Sequence, residues 1–261
     1  MSDDEGLDGW DPTRPAFDAD GGGADLPLEE DESEGGRSSG PNGVDGGEAG
    51  GAVGGPTPDT GDATGGAQEG EGERLLGPRL EELAALASRT AAALEGATER
   101  YARWAVSTLR DGGKLIFCGN GGSAATVEHV AAEYAVRYRR RRDPLPALAL
   151  TASGPATTAA ANDFTYEEVF ARQLRALARP GDLVVVHSTS GESENVIRAV
   201  RTATEMSLRS VGLLAAGGGR VADQVSLALV VPTDDVARAQ EMHLAIEHAV
   251  ADRVDRVFAD G

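Results

Sequence analysis

Two short turns rich in glycine and hydroxyl residues each follow an apolar run and precede helical sequence. They occupy residues 119–123 (GNGGS) and 188–193 (STSGES). Backbone N–H groups at a helix N-terminus bind anions, and hydroxyl groups can add further donors. The two turns together therefore predict a binding site for a phosphate monoester. Each sequence taken alone would also suit a tight structural turn or a serine N-cap.

A second set of residues could transfer protons or bind a metal. His129 and Glu133 stand at i and i+4 of a predicted helix, so they share one face. Gln240 and His248 lie on the last predicted helix, eight residues apart, which is about 12 Å along the axis and roughly 80° around it. Spacing alone does not predict that both reach one metal ion. The two other histidines, at positions 187 and 243, are expected to be structural.

The first turn with Ala124 also fits the pattern G-x-G-x-x-A of dinucleotide-binding proteins. Such a site needs an acidic residue at the end of the next strand to bind the ribose. The next apolar run and the residues after it, 148–153, read LALTAS and contain no acid. This absence argues against a nicotinamide cofactor.

The net charge of −19 over 261 residues is concentrated at one end of the chain. Residues 1–70 contain 18 of the 43 acids but only two of the 24 bases, and the remainder carries a net charge of −3. Charge therefore gives no reason to expect a nucleic acid or membrane partner. The basic run at 139–142 lies between a helix and a strand, and we expect a solvated loop or one that attracts an anionic substrate.

Composition also limits the location and the redox chemistry. No run of about 18 apolar residues is present, and the first residues lack the pattern of a signal peptide. These features favour a cytoplasmic protein. The single cysteine, Cys118, excludes an intramolecular disulfide. Because it lies in an apolar run, we expect a buried thiol.

The order of the predicted elements indicates the fold class. Five continuous apolar runs alternate with helical sequence, which favours a doubly wound α/β fold with a mainly parallel five-stranded sheet flanked by helices. The strands are predicted at 115–118, 147–150, 183–187, 210–214 and 227–231, and the main helices at 79–109, 123–137, 166–178, 194–206 and 236–258, with small-residue helical sequence up to Ala161. Residues 1–75 are predicted to be a disordered acidic tail, and residues 76–261 to form the folded domain.

Three motifs in this order resemble a sugar isomerase (SIS) domain, and within it the phosphoheptose isomerases, which act on sedoheptulose 7-phosphate. They are the strand–GNGGS–helix with His129 and Glu133, the STSG-x-S turn, and the helix with Gln240, His243 and His248. The resemblance covers roughly residues 80–260 and excludes the tail.

The resemblance implies a role for each matching residue. Zinc, one ion per site, would be bound by His129, Glu133, Gln240 and His248, with Glu133 and His248 as the acid/base pair. The substrate would contact Asn120, Gly121, Gly122, Ser123, Glu133, Arg137, Asn162, Asp163, Ser188, Thr189, Ser190, Ser193 and Gln240. The family is a homotetramer with its sites at subunit interfaces.

A competing reading within the same superfamily is a protein without catalysis. A tetrameric paralogue binds the bacterial replication initiator, and other SIS modules sense sugar phosphates. The paralogue lacks the carboxylate at Glu133 and the histidine at His248, and it has an arginine where Ser190 stands, so the enzyme is favoured. The loop before Gln240 is slightly shorter than in the enterobacterial isomerases, which leaves open whether Asp234 or Asp235 contributes to the site.

Overall fold

The structure is a computed structural model and describes residues 74–259. The predicted tail, residues 1–75, falls almost entirely outside this range. The strands are β1 (Leu115–Gly119), β2 (Ala147–Ala149), β3 (Leu183–Ser188), β4 (Arg209–Leu214) and β5 (Leu227–Val230). The helices are α1 (Leu76–Arg110), α2 (Gly122–Ala135), α3 (Gly154–Asp163), α4 (Val169–Leu177), α5 (Glu194–Glu205), α6 (Gly219–Ala222) and α7 (Val236–Ala259), with short 3₁₀ turns at Tyr166–Glu168 and Ala216–Gly218.

The five strands form one parallel sheet in the order β2-β1-β3-β4-β5. This confirms the predicted doubly wound α/β fold. The order reverses between β1 and β3, and in such sheets ligands bind in the crevice at the carboxyl ends of the two strands beside that reversal. Gly119 pairs with His187 at this edge, so the turn after β1 and the turn after β3 lie side by side.

The two faces of the sheet support separate hydrophobic cores because alternate side chains point to opposite faces. Leu115 and Phe117 of β1 pack with α1, α2 and α7. Ile116 and Cys118 pack with α4 and α5 on the other face. Cys118 is fully buried, as predicted, and burial raises the pKa of its thiol to about 12. The thiol is therefore part of the core and not a nucleophile at neutral pH.

The main difference from the predicted elements is at the end of α3. The sequence predicts that Asn162 and Asp163 break the helix, but α3 includes both and ends at Asp163, and the backbone leaves helical dihedrals at Phe164. Its start is well defined, since the hydroxyl of Ser153 accepts a hydrogen bond from the N–H of Ala156 (3.3 Å). Polar residues are tolerated in a last helical turn that faces solvent, so their presence does not fix the boundary.

The prediction of a solvated loop at 139–142 is wrong for Arg142. Its side chain is only 1% exposed, and its Nε donates to Oδ1 of the fully buried Asp255 at 2.7 Å. Asp255 lies on α7, more than 100 residues further along the chain, and sequence spacing could not pair the two. Within residues 74–259, no helix is both long enough and apolar enough to cross a membrane.

Candidate active site

A cavity of about 270 Å³ opens where the turns after β1 and β3 meet. We call it the anion cavity. It is lined by Asn120, Gly121, Gly122, Ser123, His187, Ser188, Thr189, Ser190, Ser193, Val236 and Gln240. The two turns that the sequence singled out therefore lie on one site, together with the beginning of α7.

The donors around this cavity suit an anion. It borders the N-termini of α2 and α5, whose N-cap residues Gly121 and Ser193 make no side-chain cap. The N-terminus of each helix carries a positive partial charge, although at α2 the N–H groups of Ser123 and Ala124 already donate to the carbonyls of Asn120 and Gly121 (both 3.0 Å). None of the described residues that line the cavity is a lysine or an arginine. Backbone dipoles and hydroxyl groups, and not cationic side chains, would neutralise an anion there.

In two serines of the second turn the hydroxyl oxygen already accepts a hydrogen bond from the backbone, which leaves the O–H group free to donate. The Oγ of Ser188 accepts from the N–H of Gly191 (3.1 Å), and the Oγ of Ser190 accepts from the N–H of Glu192 (3.2 Å). A hydroxyl group has one donor and two acceptor positions. Since the turn's own backbone occupies an acceptor position of each serine, both O–H groups can donate to a bound anion.

Two side-chain amides, those of Asn120 and Gln240, complete the walls of the cavity. The amides of Asn120 and Asn195 donate to each other's oxygens (2.9 and 2.8 Å), and the hydroxyl of Tyr166 donates to the oxygen of Asn120 (2.9 Å). Gln240 reaches across from α7, and a Cβ atom on Gly122 would lie 2.6 Å from both its Nε2 and its Oε1. Only glycine leaves room at position 122 for the Gln240 amide.

His129, Glu133 and His248 converge further along the same two helices. Their donor atoms lie within 4.8 Å of one another. The Oε1 of Glu133 is 3.3 Å from Nε2 of His129 and 3.4 Å from Nε2 of His248, and the two nitrogens are 3.4 Å apart. The ring of Tyr138 stacks on His248 with centroids 5.3 Å apart. We call these three residues the His–Glu cluster.

The geometry of this cluster fits a divalent metal. Two ligands at tetrahedral zinc lie about 3.3 Å apart, given zinc–ligand distances of 2.0–2.1 Å. The three separations in the cluster agree with that value. The second carboxylate oxygen, Oε2 of Glu133, is buried without a hydrogen-bond partner among the described residues. Burial raises the pKa of Glu133, against the opposing effect of His248 and His129, so this carboxylate accepts a proton more readily than an ordinary one.

Comparison with known proteins agrees with these features. The model of the SIS domain family matches residues 80–215. The chain is 50% identical over 153 residues to the phosphoheptose isomerase of Roseiflexus sp., covering 59% of this chain and 78% of that protein. It is 44% identical over 184 residues to the phosphoheptose isomerase of Paramagnetospirillum magneticum, covering 70% and 96%.

Solved structures give the same result. The phosphoheptose isomerase from Neisseria gonorrhoeae superposes with a TM-score of 0.65 at 36% identity, over 69% of this chain and 97% of that one. The phosphoheptose isomerase from Francisella tularensis superposes with a TM-score of 0.67 at 33% identity, over 69% and 96%. The chain belongs to the phosphoheptose isomerase family of SIS-domain proteins. It is an isomerase.

The structure brings together most, but not all, of the residues that are expected to form the site of a phosphoheptose isomerase. Of the four expected zinc ligands, His129, Glu133 and His248 converge within one chain. The Gln240 amide lies over Gly122 in the anion cavity, and eight residues of α7, about 12 Å of helix, separate it from His248. Gln240 as a ligand therefore remains a prediction.

Four expected substrate residues lie outside the anion cavity: Glu133, which is in the His–Glu cluster, and Arg137, Asn162 and Asp163. Arg137 is exposed and follows the end of α2 at Ala135. Asn162 and Asp163 are exposed at the end of α3, where the amide of Asn162 donates to the carboxylate of Asp163 (2.8 Å). Their roles remain predictions.

Of the two acids in the loop before Gln240, Asp235 has a structural role. The carboxylate of Asp235 accepts from the N–H groups of Ala237 (2.9 Å) and Arg238 (3.2 Å) at the start of α7. This is the hydrogen-bond pattern of an N-cap. Asp235 thus fixes the start of the helix that carries Gln240 and His248.

A buried polar network beneath the site was not found from the sequence. Glu247 is fully buried, and it accepts from Nε2 of His187 (2.8 Å) and from the hydroxyl of Tyr101 (2.9 Å). Nε2 of His243 donates to the carbonyl of Leu214 (3.1 Å). Burial, and then the nearby His187, lowers the pKa of His243 to about 3, so its imidazole is neutral. The sequence contained one indication of this network, because Glu247 stands at i+4 from His243 on the apolar face of α7.

Proposed function

We propose that the chain converts sedoheptulose 7-phosphate to D-glycero-D-manno-heptose 7-phosphate through an enediol, in heptose biosynthesis. The relatives named above support a sugar-phosphate isomerase. The observation that carries the proposal is the pairing of a phosphate-type cavity with a proton-transfer cluster on the same two helices. An aldose–ketose isomerase that acts on sugar phosphates needs both, because it binds the phosphate at one end of the substrate and moves a proton at the other.

The direction of α2 and α7 determines how the anion cavity and the His–Glu cluster lie relative to each other. Gly122 of α2 meets Gln240 of α7, and His129 of α2 meets His248 of α7. The helices therefore run side by side in the same direction. Seven residues of α2 separate the two levels, which is about 10 Å. An extended sugar phosphate lying along α2 and α7 would have its phosphate in the anion cavity and its carbonyl end at the His–Glu cluster.

The two oxygens of Glu133 have different surroundings. Oε1 faces both imidazoles, whereas Oε2 has no partner among the described residues. In the proposed reaction, Glu133 takes a proton from C1 of the ketose while a proton is delivered to the C2 oxygen, which gives the enediol. Glu133 then returns a proton to C2, and the O1 proton is removed, which leaves the aldose. His248 would handle the protons on oxygen.

We propose zinc as the metal, bound by His129, Glu133 and His248, with Gln240 as the fourth ligand by resemblance. When bound, zinc supplies Lewis-acid stabilisation of negative charge on the substrate oxygens. Stacking on Tyr138 holds the His248 ring in place.

The proposed assembly is a cytoplasmic homotetramer with sites at subunit interfaces. Exposed leucines on the first turns of α1, including Leu76 and Leu80 at 67% and 52% exposure, support association of this helix. Light scattering of the purified full-length protein would give the subunit number.

The test of the function is proton NMR of sedoheptulose 7-phosphate incubated with the full chain and zinc in D₂O. We expect new aldose anomeric signals, and deuterium at C2 because a proton held by Glu133 exchanges with solvent. Retention of the transferred proton without any deuterium would argue against the enediol route. No conversion with any divalent metal would refute the proposed function and favour a non-catalytic SIS protein that binds a protein partner or senses a sugar phosphate.

The Glu133→Gln variant tests the assigned base. It should fold normally and lose turnover by about 10²- to 10⁴-fold, the usual contribution of a general base. Its zinc content must be measured, so that loss of metal is not mistaken for loss of the base. Glu99→Gln, at an exposed position on α1, is the control and should retain full activity. Substantial activity in zinc-loaded Glu133→Gln would contradict the assignment.

A further inference from the structure

The turn proposed to bind phosphate carries an acid that should oppose that function. Glu192 lies between Gly191 and Ser193, and Glu194 is the first residue of α5. A carboxylate within several ångströms of a bound phosphate repels it. The anion cavity has no lysine or arginine among its described lining residues to offset this repulsion. A phosphate site here therefore requires that both acids be neutralised from outside the cavity.

Arg220 provides this neutralisation. Its Nε donates to Oε2 of Glu192 at 2.7 Å, its backbone N–H donates to Oε1 at 2.9 Å, and its Nη2 donates to the Glu192 carbonyl at 3.2 Å. Its remaining terminal nitrogen, Nη1, donates to the carboxylate of Glu194 at 3.1 Å. The hydrogen bonds from Arg220 also lower the pKa of Glu192. One guanidinium group thus contacts both acids and holds the Glu192 carboxylate outside the anion cavity.

The backbone around Arg220 is shaped for this contact. A Cβ atom on Gly191 would lie 1.8 Å from the Gly218 carbonyl oxygen, and one on Gly219 would lie 2.5 Å from the Ser190 carbonyl oxygen. Both glycines have positive φ, +66° and +52°. The N–H of Val221 donates to the Gly191 carbonyl at 3.0 Å. The segment that carries Arg220 is therefore pressed directly against the turn, at positions where a side chain would prevent the approach.

We propose that Arg220 determines the phosphate affinity of the site by neutralising Glu192 and Glu194 and by directing the Glu192 carboxylate away from the bound anion. This rests on the proposed function, because it assumes that residues 188–193 bind the substrate phosphate. Arg220 does not line the anion cavity, so it is a positioning residue and not a catalytic one. Its effect should appear in substrate binding and not in the chemical step.

The experiment compares four forms of the full-length zinc-loaded protein: wild type, Arg220→Met, Glu192→Gln and the double variant. For each, KM for sedoheptulose 7-phosphate and the inhibition constant of inorganic phosphate are measured. We expect Arg220→Met to raise both constants about tenfold, which corresponds to about 1.4 kcal/mol, with kcat changed less than twofold. The double variant should return both constants to within about threefold of wild type, because the unpaired Glu192 charge is gone and Glu194 still has Arg198 within 3.8 Å. Glu192→Gln alone should bind phosphate at least as tightly as wild type.

The ionic strength of the assay separates charge from structure. The penalty in Arg220→Met should shrink between low and high salt, since added ions screen the exposed carboxylates. A purely structural defect would not respond in this way. Arg256→Met is the matched control, because Arg256 forms a comparable exposed pair with Asp252 on α7. It should leave both constants unchanged.

Each result supports or overturns the inference. An unchanged KM in Arg220→Met, or an increase that Glu192→Gln does not relieve, would overturn it while leaving the proposed function intact. The second of these results would mean that Arg220 itself contacts the phosphate. Failure of the wild-type protein to bind phosphate or to turn over the substrate would overturn the inference and the proposed function together. If Arg220→Met fails to fold, Glu192→Gln alone still decides, because weaker phosphate binding in that variant contradicts the repulsion.

Discussion

The Arg142–Asp255 pair gives a quantitative test of how the His–Glu cluster is supported. Asp255 accepts from Nε of Arg142 (2.7 Å) and from the backbone N–H groups of Arg139 (2.7 Å) and Arg140 (2.9 Å). Arg142 in turn donates to the carbonyl of Glu133 (2.8 Å), and also to that of Tyr134. One buried carboxylate on α7 therefore anchors the last turn of α2, which carries Glu133.

The expected cost of Asp255→Asn follows from burial. The side chains of Arg142 and Asp255 are 1% and 0% exposed. Loss of one partner of such a pair leaves the other charge buried and unpaired, which costs about 3–5 kcal/mol. We therefore expect the free energy of unfolding to fall by this amount, and the urea midpoint by about 1 M or more. Protein concentration must be the same for all variants, because assembly adds to apparent stability.

The control lies three residues earlier on the same helix. Asp252 pairs with Arg256, whose side chain is 58% exposed, and Asp252→Asn should cost less than about 1 kcal/mol. Replacing both members of the buried pair, as Arg142→Met with Asp255→Leu, should recover part of the lost stability because no charge is then left unpaired. A loss in Asp255→Asn no larger than that in Asp252→Asn would refute the reasoning.

The same pair has a defined pH dependence. Burial alone would raise the pKa of Asp255, but the hydrogen bonds from Arg140, Arg139 and Arg142 bring it below its ordinary value. The stabilisation is therefore fully present above the unfolded pKa of about 3.9 and is lost as the pH falls through the lower folded value. The stability difference between wild type and Asp255→Asn should accordingly be constant near neutral pH and shrink below about pH 4.

Two further outcomes can be tested directly. Gly122→Ala should lower kcat/KM at least tenfold, because the new Cβ displaces the amide end of the Gln240 side chain. The urea midpoint should stay unchanged or rise slightly, because alanine favours the helix. Full activity would show that the Gln240 amide need not lie there. Deletion of residues 1–70 should leave turnover of sedoheptulose 7-phosphate nearly unchanged, because the family match begins at residue 80, and a large loss would mean that the tail helps to fold or assemble the site.

The fold was predictable because a parallel sheet buried on both faces leaves a strong local pattern. All residues of β1 and β3 are buried, and both strands begin with an uninterrupted apolar run of four residues. The turns that follow them contain the glycines and serines that the site requires. Local sequence therefore predicted which residues approach the crevice, and the pairing of Gly119 with His187 brought the two turns together.

What could not be predicted depends on contacts between distant parts of the chain. Arg142 belongs to a basic run that looks solvated, and only the position of Asp255 on α7 explains its burial. Glu247 is a charged residue on an apolar helix face, and its partners Tyr101 and His187 come from α1 and β3. Neither set of contacts follows from periodicity, because each depends on how α7 is rotated about its axis.

That rotation links the unpredicted contacts to the site. Glu247 and Asp255 hold α7 from its buried side, through β3 and α1 and through the loop after α2. With α7 fixed in this way, Gln240 faces Gly122 and His248 faces Glu133. The separation between the anion cavity and the His–Glu cluster is then set by the rise of two parallel helices, about 1.5 Å per residue, and not by flexible loops. The buried contacts of Glu247 and Asp255 are therefore what fixes the distance between the anion cavity and the His–Glu cluster.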